Sequence, residues 1–436
     1  MTGSTSALRR DVAFRRFRLP ADLPTGTCDA VNPDSADACD AVGPRATGAS
    51  GGVGPGADGA VLAAPTGRLG HPDDPTRRYD VASWTSPPVS TGFAVAEVVP
   101  SWTADTPDGC GLWIEARGWH ADAPATGWYT LARWATDDEP FGHTSVPGQQ
   151  DADARVDADT LVVTGATVTG WQVRVTLLRP AGSAATPVLR QIGAVASGPQ
   201  PDGPVGAQPD APVGTQPGTS VGAYRAAEGD RAGWGRVLDV PRYSQRLHGG
   251  DERRWGGGGD SWCSPTSVSM VLDYWGAGPT ADRYAWVVPA GSRPAVVHAA
   301  RHCYDPAYGG AGNWAFNTAY AGRHGVDAFV TRLRSLAEAG AFVAAGVPLV
   351  LSATFRRGEV PGLDYDTQGH LMVLVGFTVD GDPVLNDPYA PDDVGVRRTV
   401  DRHRFEAAWQ GGSGGIVYVI HPPDVALPPP PAQPNW

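Results

Sequence analysis

The chain contains no lysine: its 34 basic residues are all arginine, set against 46 aspartates and glutamates for a net charge of −12. A net-acidic chain without a basic cluster is a poor match for nucleic acid or an anionic membrane, so neither is expected as a partner. Long apolar runs are missing too. None approaches the roughly 18 residues of a membrane helix, and no apolar segment follows the arginines of 1–20 as a signal peptide would require. That absence favours the cytoplasm, whereas a spacer joining a tryptophan-rich domain to a second domain is a common extracellular design. The compartment therefore stays open. Cysteine is scarce: five residues in 436 are no disulfide framework, and an odd number leaves at least one thiol unpaired.

Glycine and proline are abundant, at 57 and 41 residues, which excludes coiled coils and points to turns and spacers, while 41% apolar residues suffice for real cores. The length suits two domains with a linker. The clearest boundary is an eight-residue unit repeated three times, QPDGPVGA from Gln200, QPDAPVGT from Gln208 and QPGTSVGA from Gln216. Such units cannot pack a core, and at up to about 3.1 Å per residue where polyproline-like they allow a separation of two domains by tens of ångströms. The expected division is an all-β sandwich-like domain over 1–196, with a disordered insertion near 26–60, then a spacer over 197–235. An α+β domain follows over 236–422, helices first and an antiparallel sheet last, and 423–436 is an unstructured proline-rich tail.

Alternating runs between turn signals carry the β reading; in the best of them Trp171, Val173, Val175 and Leu177 share one face and Gln172, Arg174 and Thr176 the other. Seven of the 15 tryptophans lie in this half. Bulky aromatics fill sandwich cores, and exposed ones make a platform for a polymer or glycan. Within the insertion, Cys28 and Cys39 head a duplicated Cys-Asp-Ala-Val and are either a bridge or two free thiols.

In the second half, Ser261-Trp262-Cys263-Ser264-Pro265-Thr266 opens a helical pattern. A cysteine at a helix N-terminus meets free N–H groups and the positive end of the dipole, which favour the nucleophilic thiolate. A thiolate nucleophile needs a histidine to move protons and an acceptor to orient it. His370 stands at the start of an apolar strand, and Asp380-Gly381 marks a hairpin returning to Asp387. An ideal two-residue turn sets Asp387 opposite Leu374, four residues from His370, so contact requires a bend. Oxyanion donors are the third requirement. The Cys263 N–H and the Gln245 side chain are the candidates.

The order Gln245, Trp262-Cys263-x-Pro265-Thr266-Ser267, Gly369-His370, Asn386-Asp387-Pro388 resembles the papain-like cysteine peptidases of the bacteriocin-processing kind, specifically the peptidase C39-like family. Gly312-Asn313-Trp314-x-x-Asn317, Gly346-x-Pro348 and Phe405-x-x-x-Trp409 add to the likeness, which covers about 237–422. It implies a papain-like fold with Cys263 as nucleophile, His370 as general base and acid, Asp387 as the orienting residue and Gln245 as oxyanion donor, acting on a peptide or other amide. The region from Phe17 through Trp84-Thr-Ser-Pro87, Pro100-Ser-Trp102 and Trp128-Tyr129 to Arg179 looks like the β-domain that accompanies this peptidase domain in some actinobacterial proteins. Two departures are Ser264, where Gly or Ala is more usual, and the long segment from Leu247 to Asp260. No nucleotide-binding or membrane domain is expected after the peptidase, so the likeness is not to the leader-cleaving exporters.

Two other functions fit these residues: a papain-like binding protein that has lost turnover, and an acyl transferase on the same triad. His298 and His302, four apart and next to Cys303, have a metal-ligand spacing that nothing in the sequence completes, so they are read as packing or surface residues. Cys110 is read as structural. No cofactor, metal or oligomer is expected.

Overall fold

The computed structural model describes residues 10–23, 49–71, 74–137, 141–200, 231–250, 255–288 and 293–436. Cys28, Cys39 and the repeats beyond Gln200 lie outside the described residues.

The N-terminal domain is two antiparallel sheets without an α-helix among its described residues. One sheet runs Ala154–Asp157, Thr160–Val163, Glu97–Asp105, Val188–Ser197, Ala60–Leu62, Val53–Pro55, with Val12–Arg18 added beside Val188–Ser197. The other centres on Gly111–His120, Gly170–Pro180 and Arg78–Thr85. Period-two alternation sends Trp171, Val173, Val175 and Leu177 into the core, where they are fully buried. Trp84, Trp102 and Trp134 join them there. Trp113, Trp119 and Trp128 are half-buried, with arginine over each ring; Arg117 and Arg174 stand 4.4 and 4.5 Å from the Trp128 centroid. The expected disordered insertion near 26–60 is partly corrected: Ala49–Gly51 pairs with Arg78–Thr85, and Val53–Pro55 and Ala60–Leu62 form a hairpin. Glycine-rich strands of three residues show no period, which hid them.

The described residues of the C-terminal domain form five α-helices, α1 (Cys263–Tyr274), α2 (Pro294–Cys303), α3 (Trp314–Gly322), α4 (Leu336–Ala344) and α5 (Arg402–Ser413). Its antiparallel sheet runs Asp327–Arg332, Ile416–His421, Leu349–Phe355, Thr367–Phe377, Pro383–Asn386, Arg397–Thr399. One face, with Val350, Val373 and Tyr418, packs with the core of α1 and α2; the other, with Leu349, Leu351 and Leu374, packs with α4 and α5. Burial on both faces explains the continuous apolar run after His370.

The domains are in contact, well inside the separation that the spacer allows. Ala315, Phe316 and Ala319 of α3 belong to the sandwich core, with Phe316 edge-on to Trp102 at 6.2 Å. Gly322 passes so close to Thr103 that an added Cβ would lie 2.2 Å from its Cγ2. Polar links follow the same seam: Arg332 pairs with Glu97 at 2.6 Å, the Gln191 amide donates to the Ala328 carbonyl at 3.1 Å, and the Val330 N–H donates to Ser101 Oγ at 3.1 Å. A spacer sets the largest separation, and apolar surface decides the actual one. The tail, expected to be unstructured, also docks: the Phe14 N–H donates to the Pro434 carbonyl, the Asn435 amide donates to the Arg332 carbonyl, and Trp436 packs on Phe342.

Candidate active site

Cys263 is the first residue of α1, and Trp262 before it provides no side-chain cap. The first-turn N–H groups are thus left for other acceptors, and Pro265 has none to lose. Trp262 is fully buried and donates its indole N–H to the Trp255 carbonyl at 2.8 Å, which fixes the start of the helix. Ser267, one turn on, donates to the Leu371 carbonyl at 3.1 Å and ties α1 to the strand that carries His370.

The register of the next hairpin decides the position of Asp387. Phe377 pairs with Pro383, so the connection is longer than two residues, and an irregularity between Leu374 and Gly376 moves the pairing one residue further. Asn386 comes opposite Val373, and Asp387 continues toward the end where His370 stands. His370 Nε2 and Asp387 Oδ1 are 2.8 Å apart. Asp387 Oδ1 also accepts from the Tyr365 hydroxyl at 3.1 Å and the Tyr389 N–H at 3.0 Å, and Arg398 Nε lies 3.3 Å from Oδ2. The rings of Tyr365 and Tyr389 stand 5.5 and 6.1 Å from His370.

Burial opposes charge throughout this cluster, and partners override it. For Cys263, burial raises the thiol pKa, but the hydrogen bond and charge of His370 and the N–H groups of Leu371 and Ser264 bring it below its ordinary value. For His370, burial lowers the pKa, and hydrogen bonds to Asp387 and Cys263 carry it well above the ordinary value. Asp387 is held below the usual carboxylate range against its own burial by His370, the Tyr389 N–H and Arg398. With Nε2 on Asp387, Nδ1 is the nitrogen left for the sulfur. The three free cysteines among the described residues differ sharply: burial pushes Cys110 up to about 12 and Cys303 higher still, and Cys263 alone moves down.

Gln245 opens a short 3-10 helix and is buried, its backbone N–H donating to the Pro388 carbonyl at 2.8 Å and its amide to the Gly259 carbonyl at 2.9 Å. The long segment before Cys263 therefore folds back onto Gln245. Gly259 has no room for a side chain, because a Cβ there would meet the Gln245 carbonyl at 2.5 Å. The Ser264 hydroxyl turns into the core, 3.0 Å from the Tyr418 hydroxyl. Cys263, His370 and Gln245 line one cleft of about 740 Å³; Asp387 sits behind His370.

His298 and His302 are spent elsewhere, on the Tyr320 hydroxyl at 2.9 Å and the Thr136 carbonyl at 3.0 Å, and Cys303 ends α2 fully buried. Among the described residues no three His, Cys, Asp or Glu are grouped as a metal would require. Sequence reasoning missed Tyr365 and Arg398, because contacts made across loops leave no spacing to read, and Tyr389, although its N–H bonds Asp387 within one local turn that Asp387-Pro388-Tyr389 signals. Tyr365→Phe removes one of the donors to Asp387 and is expected to lower kcat/KM several-fold without abolishing activity, checked by steady-state kinetics.

Comparison with known families follows the same division. Residues 44–197 match the Peptidase C39 N-terminal domain and residues 237–415 match the Peptidase_C39 like family. The second domain is thus similar to the Peptidase_C39 like family and the first to the Peptidase C39 N-terminal domain, each match covering less than half of the chain. No curated protein and no solved structure matched the chain. Among the described residues of this C39-like protein, no helix is long and apolar enough to cross a membrane.

Proposed function

We propose that the protein is a cysteine peptidase or related amide hydrolase of papain-like build, working through an acyl-thioester. The observation that carries the reading is His370, buried between the Cys263 sulfur and the Asp387 carboxylate, 2.8 Å from the latter. Cys263 is the nucleophile and attacks the substrate carbonyl as thiolate. His370, as imidazolium, protonates the leaving amine, then takes a proton from water to hydrolyse the thioester. Asp387 holds the ring in one orientation and stabilises its charge. The Cys263 N–H and the second N–H of the Gln245 amide receive the developing oxyanion.

The test is the pH dependence of iodoacetamide alkylation at Cys263, read by mass spectrometry in the native chain and in His370→Ala. The native thiol is expected to react well below the ordinary range near 8.5, and the substitution to move its profile upward, since burial then lacks its main opponent. An ordinary or inaccessible thiol in both proteins replaces the enzyme with a papain-like binding module.

Activity should follow the same pair. As pH falls, the thiolate protonates at its lowered pKa and the rate is lost; as pH rises, His370 holds its proton past 6.5 and the alkaline limb comes only on its raised pKa, at about 10. A pH profile of kcat/KM is expected to be bell-shaped with a broad neutral plateau, and a single acid limb near pH 6.5 would contradict it.

A further inference from the structure

The cleft that holds Cys263 is not built by the C39-like domain alone. The turn Asp157-Ala158-Asp159-Thr160, between the edge strand Ala154–Asp157 of the N-terminal domain and its neighbour Thr160–Val163, forms part of its wall. Asp159 anchors that turn across the domain boundary: its carboxylate accepts the Trp314 N–H at 2.7 Å, at the start of α3, where Asn313 caps Phe316 N–H at 3.1 Å. The seam through Phe316 and Gly322 holds the same helix against the sandwich. The wall is thus tied to the C-terminal domain through α3.

Outside the Cys263–His370 pair, the charge of its described lining is acidic. Asp157, Asp159, Asp260 and Asp366 line the cleft and, among the described residues, no arginine does. Asp260 is offset by Arg246, and Asp366 accepts only a backbone N–H, from Arg357 at 2.9 Å. Asp157 is two-thirds exposed, with Arg155 no nearer than 3.9 Å. A second, independent feature has the same sense. Gln245, one of the lining residues, is buried with its Oε1 left without a hydrogen-bond partner, while the other end of its amide donates to the Gly259 carbonyl. A buried acceptor left unpaired is satisfied by an N–H donor.

We infer that the N-terminal domain supplies one wall of the substrate cleft and, through Asp157 with Asp366, gives it a preference for peptides or amides bearing an ammonium or guanidinium group. The inference rests on the cysteine-hydrolase reading for its substrate, and not for its charge.

The full chain is treated at neutral pH and low salt with three methanethiosulfonates, aminoethyl (cationic), sulfonatoethyl (anionic) and methyl (neutral), and modification of Cys263 is timed by mass spectrometry. The cationic reagent is expected to react about tenfold or more faster than the anionic one, and this ratio to fall about threefold in Asp157→Asn and in Asp366→Asn and to shrink at high salt. Asp58→Asn, an exposed site in the same domain away from the cleft, should leave the ratio as it is. Equal rates for the charged reagents, or a ratio that Asp157→Asn does not move, overturn the inference. If instead all three react no faster than an ordinary thiol while the charge ratio persists, the hydrolase reading fails and the cationic preference of the cleft stands. Peptide anilides with arginine, leucine or glutamate at the scissile residue then give the ratio in kcat/KM.

Discussion

Asp387→Ala is expected to lower kcat/KM about a thousandfold or more while leaving Cys263 in place. The carboxylate gathers His370, Tyr365 and the Tyr389 N–H on one oxygen and faces Arg398 with the other. Truncation leaves the imidazole free to turn and removes the charge that keeps it protonated. It also strands several buried donors, a change that costs on the order of 3–5 kcal/mol of stability. Asp387→Asn separates the two effects. Its carbonyl oxygen still accepts from His370 Nε2, so the ring keeps its orientation and loses only the charge, and the rate should fall far less than in the alanine variant. Single-turnover kinetics beside urea unfolding would check both, and equal losses in the two variants would contradict an orienting role.

The second large effect lies at the domain seam. Phe316→Ala is expected to destabilise the protein by about 3–5 kcal/mol, because the ring is fully buried in the sandwich core although it belongs to α3. Calorimetry of the native chain should show one cooperative transition, and the variant should separate it into two as the domains uncouple. A loss under about 1 kcal/mol would mean that the contact is peripheral. Gly322→Ala acts at the same seam by overpacking, with its Cβ against Thr103, and Thr103→Ala should restore part of the loss.

The β character of the first half was legible because Trp171, Val173, Val175 and Leu177 alternate over a whole strand, and the tertiary structure buries all four. The start of α1 was legible from Cys263 and Pro265, because capping and proline preferences act within one turn. Strands of three residues at 49–62 were not, since periodicity needs length to be seen. The tail was misread for a related reason: its order comes from Asn435 and Trp436 finding partners on distant elements, which composition does not record.

Sequence alone therefore determined the residue types, their order and the local elements that carry them, a cysteine at a helix start and a histidine on an apolar strand. These depend on interactions within a few residues. Only the tertiary structure decided that Asp387 reaches His370, because a longer connection and one irregular pair shift the register away from the ideal hairpin. Likewise, only the packing of α3 into the sandwich decided that the N-terminal domain borders the cleft, where the repeats suggested two separate bodies. Docking is set by apolar surface buried between residues hundreds of positions apart and the hairpin register by one irregular pair, and no local pattern carries either.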